Sequence, residues 1–454
     1  LSLDIARPLA EAVAREGGRA LLVGGYVRDR LLGIEASELD LEIFGLSFEQ
    51  LERLLSTFGE VIHVGKAFGV FRVKGLDIDF SLPRRDSKVR PGHTGFDVVY
   101  DPHMTFTEAA RRRDLTMNSI GLDPLTLEYL DPHGGRKDLR EKRLRATDPA
   151  HFPEDPLRGL RVAGFAARFD MRPDEELKKL CAGLDLSELS AERIFYELEK
   201  LLLRSEKPSI GFELLRETKL LRFFPEIQDL VGVPQEPEWH PEGDVWIHTM
   251  MVVDEAAKLR TGKADEDLAL MFGSLAHDFG KPSTTRVIGG RITSYEHDAK
   301  GVPIAAAFLE RLRAPNELTK KVEALVRHHL APALFQKNGA TAKGYRRLAR
   351  DLAAAGVTPD LLLRVATADH LGRTTDDAFA RRFPAGEHFR TMMESLDLVH
   401  EPPKDVVLGR HLIARGLSPG PEFGRILAEC RDIQDETGWT DPDKILNRVL
   451  WKSL

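Results

Sequence analysis

The stretch "LLVGGYVRDRLLGIEASELDLEIFG", Leu21 to Gly45, constrains the fold more than any other. An apolar run stops at Gly24 and Gly25, a short helix-like segment follows to Gly33, and acids then occupy alternate positions at Glu38, Asp40 and Glu42. Strand side chains repeat every two residues, so these acids share one face of an extended strand. Clustered carboxylates repel one another unless a cation lies among them. Mg²⁺ takes oxygen ligands and often sits between one or two carboxylates and substrate phosphates. The glycine pair lets backbone approach a phosphate, the helix start aims N–H groups at it, and Arg28 in the first turn adds positive charge. A tight turn followed by a solvated acidic strand fits the same residues. From the spacing alone, the pair that would hold metal stays open.

Later segments weigh on that choice. "VFRVKGLDIDFSL" reads as strands and puts Asp77 and Asp79 on one face. Two acid-bearing strands beside a glycine turn suggest two-metal phosphoryl transfer, in which metals activate a hydroxyl and stabilise departing pyrophosphate. "RRRDLTMNSIGLDP" gathers Arg113, Asp114 and Asn118. "EDPLRGLRVAGFAARF" opens a helix with acids and Pro156, as helix starts prefer. Asp155 and Arg158, three apart, can project from one side of that start. An acceptor beside a donor fork can hydrogen-bond a base edge; an N-terminal ion pair would use the same spacing.

A chain of 454 residues suggests two to four domains. Up to about residue 145 short β-like runs mix with helices; from about 150 the pattern turns helical. "VGVPQEPEWHPEGD" reads as a linker into a further, almost entirely helical region. The formal net charge of −7 disfavours a general nucleic-acid binder. An RNA partner would have to meet local basic patches, such as Arg84–Arg90, Arg111–Arg113 and Gly135–Arg145. The two cysteines, Cys181 and Cys430, lie far apart, which points away from a disulfide framework and toward a reducing cytoplasm. The sequence shows no apolar run of ~20 residues and no signal-peptide layout at its start, so no membrane association is expected.

Histidines concentrate between His240 and His329. His248 stands in one helical segment, His277 and Asp278 near the end of another, His297 in "SYEHDAKGVP", His328 and His329 in "VRHHLAP", and Asp369 in "VATADHLGR". Imidazole and carboxylate together suit a divalent transition metal, which can activate water against a phosphate ester.

The ordered set "GGYVRD", "ELDLE", "RRRDLTMNSI", "EDPLRGLRVAGFAARF" and "SAERIFYELEK" resembles the class II bacterial tRNA nucleotidyltransferases, a family of CCA-adding, A-adding and CC-adding enzymes and poly(A) polymerases. The resemblance implies an α+β chain. A polymerase-β-like nucleotidyltransferase head (1–145) would precede an all-α neck (146–230), an HD-type helical domain (231–370) and a helical tail (371–454). It implies tRNA, CTP and ATP as partners and Mg²⁺ as the head's cofactor. By motif match it assigns Gly24, Gly25 and Arg28 to the triphosphate, and Arg113, Asp114 and Asn118 to sugar and phosphates. Asp155 and Arg158 would select the base. The third metal-binding carboxylate falls on Asp79 rather than Asp77. The family's Asp-x-Asp pair, five residues past "LLG", reads here as Glu38-x-Asp40. Glutamate at Glu38 is therefore a departure, and its extra methylene displaces the ligand oxygen. Ser81–Glu108 falls where the family carries a flexible loop tied to the switch from C to A. The second half resembles the HD phosphohydrolases. First-metal ligands would be His248, His277, Asp278 and Asp369. His297 and His328 would widen that site, with His329 the lesser of the adjacent pair.

Overall fold

The computed structural model describes residues 2–35, 39–64, 70–88, 96–399 and 402–450. Glu38 lies outside the described residues. The chain divides into two compact units, Leu1–Leu201 with Ile210–Phe223, and Leu202–Ser209 with Phe224–Leu454.

The first unit begins with α1 (Ser2–Arg15), β1 (Arg19–Val23), α2 (Gly25–Leu31), β2 (Leu39–Phe44) and α3 (Phe48–Leu55). Strands β3 (Val61–Val64), β4 (Val70–Val73) and β5 (Ile78–Ser81) follow, then the hairpin β6 (Arg84–Lys88) and β7 (Phe96–Tyr100). Helix α4 (Phe106–Arg111), β8 (Gly121–Leu122), β9 (Tyr129–Leu130) and α5 (Gly135–Arg140) complete the mixed region. The main sheet runs β3-β4-β5-β2-β1-β8-β9. β1 and β2 are antiparallel, whereas β2 and β5 are parallel.

Register fixes the acids. Asp40 pairs with Val23 on one side and with Asp79 on the other. Neighbours in a ladder share a face, so two carboxylates stand side by side at the end of β1, where the glycine turn begins. Along β2 this face changes character. Phe44 and Leu21 are buried with Met104 and Ala109, and the Phe106 ring meets Phe44 edge-on at 6.2 Å. Leu21, Phe44 and Met104 each contribute roughly 1.5–3 kcal/mol by burial. Helix α4 supplies this cover and is held by a capping box between Thr105 and Glu108. One step along β2 Glu42 is fully buried, and one step further Asp40 is half-buried.

The neck helices are α6 (Leu157–Phe169), α7 (Glu175–Ala182), α8 (Ala191–Arg204) and α9 (Pro208–Glu217). Proline precedes α6 at its N-cap, as the sequence predicts, and α6 turns Leu160, Val162, Ala163 and Ala166 inward.

The second unit is built around α10 (Pro225–Gln228), α11 (Val245–Lys258), α12 (Ala264–Ala276), α13 (Lys281–Thr284), α14 (His297–Arg311), α15 (Asn316–His328), α16 (Ala331–Asn338), α17 (Ala342–Ala354) and α18 (Pro359–Leu371). Helix α12 is apolar around most of its circumference and lies against α11, α15 and α18. The approach of α13 to α14 demands a glycine: a Cβ on Gly280 would stand 2.0 Å from the His297 carbonyl oxygen. Three further helices, Gly409–Ala414, Pro421–Thr437 and Pro442–Leu450, enclose a core of their own around Leu412, Ile426, Ile445 and Leu446. Cys181 and Cys430 are both free and buried. Among the described residues no helix is long and apolar enough to cross a membrane.

Candidate active sites

The head site forms where β1 runs into α2. Gly24 caps the helix at φ +71°, in the left-handed region that favours glycine. A Cβ there would stand 3.1 Å from both Asp40 Oδ2 and Arg113 Nη1. The turn therefore closes directly on an acid and a cation, and a side chain would fill the cradle. This geometry fits a divalent cation and a phosphate, with Asp40 and Asp79 as the described oxygen donors. Both Asp79 oxygens accept from Arg72 of β4, Oδ1 from Nε and Oδ2 from Nη2 at 3.0 Å, a fork that a metal would have to displace. Arg72 was not singled out from sequence; its alternation in "VFRV" carries a signal only once β4 is paired with β5. Asp77 is exposed and precedes β5, so it does not share the strand position of Asp79.

Glu42 is committed to other partners. Its Oε1 accepts from Arg112 Nη2 at 2.8 Å, and Oε2 lies 3.6 Å from Arg113 Nη2. Burial would raise its pKa, but Arg112 and Arg113 more than offset that and hold it below the usual range.

Arg28 is buried and reaches the same turn, its Nη2 3.5 Å from where a Gly25 Cβ would stand. Its Nε donates to Asp29 Oδ1 at 2.7 Å and its Nη1 to Asn118 Oδ1 at 2.8 Å. The guanidinium lies 5.2 Å from the Phe165 ring and 4.8 Å from the Phe169 ring, both on α6. Asn118 Nδ2 in turn donates to Asp114 Oδ1 at 2.9 Å, and Arg161 Nε to Asp114 Oδ2 at 2.7 Å. Burial alone would raise the Asp114 pKa; Arg161 and Asn118 bring it down to about 2. The motif residues thus form one connected network from the glycine turn into α6.

Asp155 and Arg158 have separate partners. Arg193 Nη2 donates to Asp155 Oδ2 at 2.9 Å. Arg158 donates to the His151 carbonyl and to the Arg112 carbonyl, each at 2.8 Å. Arg193, within the motif "SAERIFYELEK", is the partner that spacing within α6 could not reveal.

The second site is a buried cluster. His248 Nε2 lies 3.1 Å from Asp369 Oδ1, His277 Nε2 3.2 Å from Asp278 Oδ2, and His297 Nε2 3.4 Å from Asp278 Oδ1. His248, His277 and Asp278 present ligand atoms within 4.8 Å of one another, as do Asp278, His297 and His329. The adjacent pair sorts opposite to the sequence expectation. His329 is buried with its Nε2 3.3 Å from that of His297, whereas His328 lines a different cavity with Asp351. Helical rotation of about 100° per residue turns neighbours to different faces, and only packing tells which face is inward.

Four rings are anchored through Nδ1. Glu242 holds His248 at 2.8 Å, and the carbonyls of Ser274, Ser294 and Val326 hold His277, His297 and His329 at 2.8, 2.7 and 2.7 Å. The carbonyl-anchored rings thus turn a lone pair on Nε2 inward. Burial and the neighbouring His297 and His277 push His329 down to about 3, so it stays neutral. His277 Nε2 and Asp278 Oδ1 are buried without a hydrogen-bond partner, whereas Asp278 Oδ2 is ion-paired with Lys281. A metal ion satisfies such a set, so these residues fit one. Glu242, Lys281 and His329 were the residues sequence reading underweighted. Lys281 Nζ sits 2.7 Å from Asp278 Oδ2 and 2.7 Å from Gln235 Oε1. The cluster opens on a cavity of about 390 Å³ lined by Trp239, Lys281, Lys337 and Arg373.

Comparison with known proteins bears on both halves. Residues 20–145 match the Poly A polymerase head domain family, and residues 174–230 match a probable RNA and SrmB-binding site of polymerase A. The multifunctional CCA protein of Tolumonas auensis is 38% identical over 304 residues, covering 65% of this chain and 70% of the relative. That of Thioalkalivibrio sulfidiphilus is 34% identical over 419 residues, covering 87% of this chain and 96% of the relative. In fold, the chain is similar to the Bacillus stearothermophilus CCA-adding enzyme in complex with CTP, with TM-score 0.68, 22% identity and coverage of 99% of this chain and 96% of that one. It is also similar to the Thermotoga maritima CCA-adding enzyme complexed with tRNA, with TM-score 0.60, 18% identity and coverage of 99% and 95%. With an α+β head followed by helical regions, and with relatives aligned along most of its length, the chain belongs to the class II tRNA nucleotidyltransferase family.

Proposed function

We propose that this chain adds C and A nucleotides from CTP and ATP to the 3′ end of tRNA, without a template, in the cytoplasm. The observation that carries the reading is the closure of the Gly24 turn onto Asp40 and Arg113, beside Asp79. Asp40 and Asp79 would hold Mg²⁺, with Glu38 preceding them on the chain. Bound there, the metal supplies activation of the tRNA 3′ hydroxyl and charge balance on the leaving pyrophosphate. The Gly24–Gly25 backbone and Arg113 receive the triphosphate, with Arg28 behind the turn. Asp114 and Asn118 hold Arg28 and Arg161 in place while serving the sugar side. Asp155 and Arg158 read the base, each oriented by its partner: Arg193 for the acid, two backbone carbonyls for the arginine. Head 1–145, neck 146–230, HD-type domain 231–370 and tail 371–454 are the functional divisions.

Incubation with tRNA lacking its CCA end, Mg²⁺ and labelled CTP or ATP is the direct test. Sequential incorporation of C and then A is expected. Failure to incorporate either nucleotide overturns the reading.

The second unit supports an accessory activity. His248, His277, Asp278 and Asp369, with His297 and His329 beside them, would bind a divalent transition metal and hydrolyse phosphate esters. Bound there, the metal supplies an activated water. Lys281, Lys337 and Arg373 give the cavity the positive charge a phosphate needs.

A further inference from the structure

The strand that carries the head's catalytic acid also carries Glu42, which has no part in the metal set of Glu38, Asp40 and Asp79. A buried charge is costly unless paired, so a fully buried glutamate one pleat from the site calls for a reason. Its partners supply one. Arg113 is a planar fork, with Nη2 3.6 Å from Glu42 Oε2 and Nη1 at the cradle, 3.1 Å from where a Gly24 Cβ would stand. Arg112, the neighbouring residue, is held by Glu42 through its side chain at 2.8 Å. Its carbonyl accepts Arg158 Nη2, also at 2.8 Å. One acid therefore stands behind the phosphate-facing arginine and behind the backbone that anchors the base-reading arginine.

We infer that Glu42 is a positioning residue for the incoming nucleotide: it fixes Arg113 toward the triphosphate and Arg112 toward Arg158, and it does not ligand the metal. The inference rests on the nucleotidyltransferase reading above. The physical argument is one of rotamer freedom. A free arginine side chain holds about 2 kcal/mol of rotamer entropy, which binding must otherwise remove. Holding one edge of the fork beside a buried carboxylate, in an ion pair at 3.6 Å rather than a hydrogen bond, narrows that freedom before the nucleotide arrives. Helix α4 ends at Arg111, so Arg112 and Arg113 follow directly from its C-terminus.

The test uses the full chain carrying Glu42→Gln, which keeps the shape and removes the charge. The KM for CTP and for ATP is expected to rise by roughly tenfold, the scale of a lost charge-assisted contact. The KM for tRNA and the Mg²⁺ concentration at half-maximal rate are expected to stay unchanged. Combined with Arg113→Ala, Glu42→Gln should raise the nucleotide KM by less than it does alone, the remainder passing through Arg112 and Arg158. Glu42→Asp keeps the charge on a shorter stem and should give an intermediate rise; it also serves if the glutamine variant does not fold. An unchanged nucleotide KM in both variants, or additive effects of Glu42→Gln and Arg113→Ala, overturns the positioning role. A fall in kcat with a raised Mg²⁺ requirement overturns it too, and makes Glu42 a ligand. If the wild-type chain incorporates neither nucleotide, the underlying reading has failed. Equilibrium binding of CTP to wild type and Glu42→Gln then decides the role of Glu42 separately, with equal affinities overturning it.

Discussion

The two candidate sites of this chain handle charge in opposite ways. In the head, carboxylates stand at a sheet end beside a glycine turn with arginines around them, and both acids remain partly exposed. In the second unit, histidines and aspartates are enclosed by helices, with Asp278 1% exposed and His248 and His277 fully buried. An open oxygen site suits a weakly held metal that arrives with phosphates. An enclosed nitrogen and oxygen site suits a resident metal whose binding contributes to folding. The contrast predicts a first site that substrate would complete and a second that would hold its own ion.

Separate variants can break that contrast. The largest effect is expected from Asp40→Ala, which should lower nucleotide incorporation by roughly a thousandfold while metal content of the second unit, read by elemental analysis, stays the same. Loss of both would show that the sites are not independent. Asp278→Ala should do the reverse, lowering the metal content and the proposed phosphate-ester hydrolysis with incorporation retained. Gly280→Ala probes the same unit through packing alone. The backbone contact at 2.0 Å cannot be accommodated without displacing α14, so a fall in stability of roughly 2–4 kcal/mol is expected in thermal or urea melts.

A smaller effect concerns Asp114. Its folded pKa of about 2 lies below the usual 3.8, a difference worth about 2 kcal/mol at about 1.4 kcal/mol per pH unit. A depressed acid stabilises the folded state above the unfolded pKa and loses that contribution as pH falls through the folded one. Urea melts of wild type and Asp114→Asn should therefore differ by about 2 kcal/mol near pH 6. The gap should shrink between pH 4 and pH 2; a gap constant over that range would contradict the ion pair with Arg161. Smallest is Glu38→Asp, which restores the family's pair and should give equal or faster nucleotide addition in the incorporation assay.

Local pattern carried a large part of this fold. "RALLVGG", "GLDIDFSL" and "PLRGLRVAGFAARF" announce their elements because alternation, glycine and proline act over a few residues. The order of motifs carried the family. The partners of those motifs were not legible. Arg193 reaches Asp155 across 38 residues and Arg158 reaches the Arg112 carbonyl across 46. Such contacts depend on how α6 packs against the head, which no spacing within either segment records. His328 and His329 show the same limit at the scale of one helical step.

Sequence by itself determined that acids alternate on β2 beside a glycine turn, and that histidines and aspartates recur on helices of the second half. The tertiary structure decided what each acid does. Asp40 and Asp79 stand together because β2 and β5 pair in parallel register, while Glu42, on the same face, is closed off by the residues that follow α4. The physical reason is that a carboxylate's role is set by what lies within a few ångströms of it, water, cation or guanidinium. Those neighbours come from distant parts of the chain.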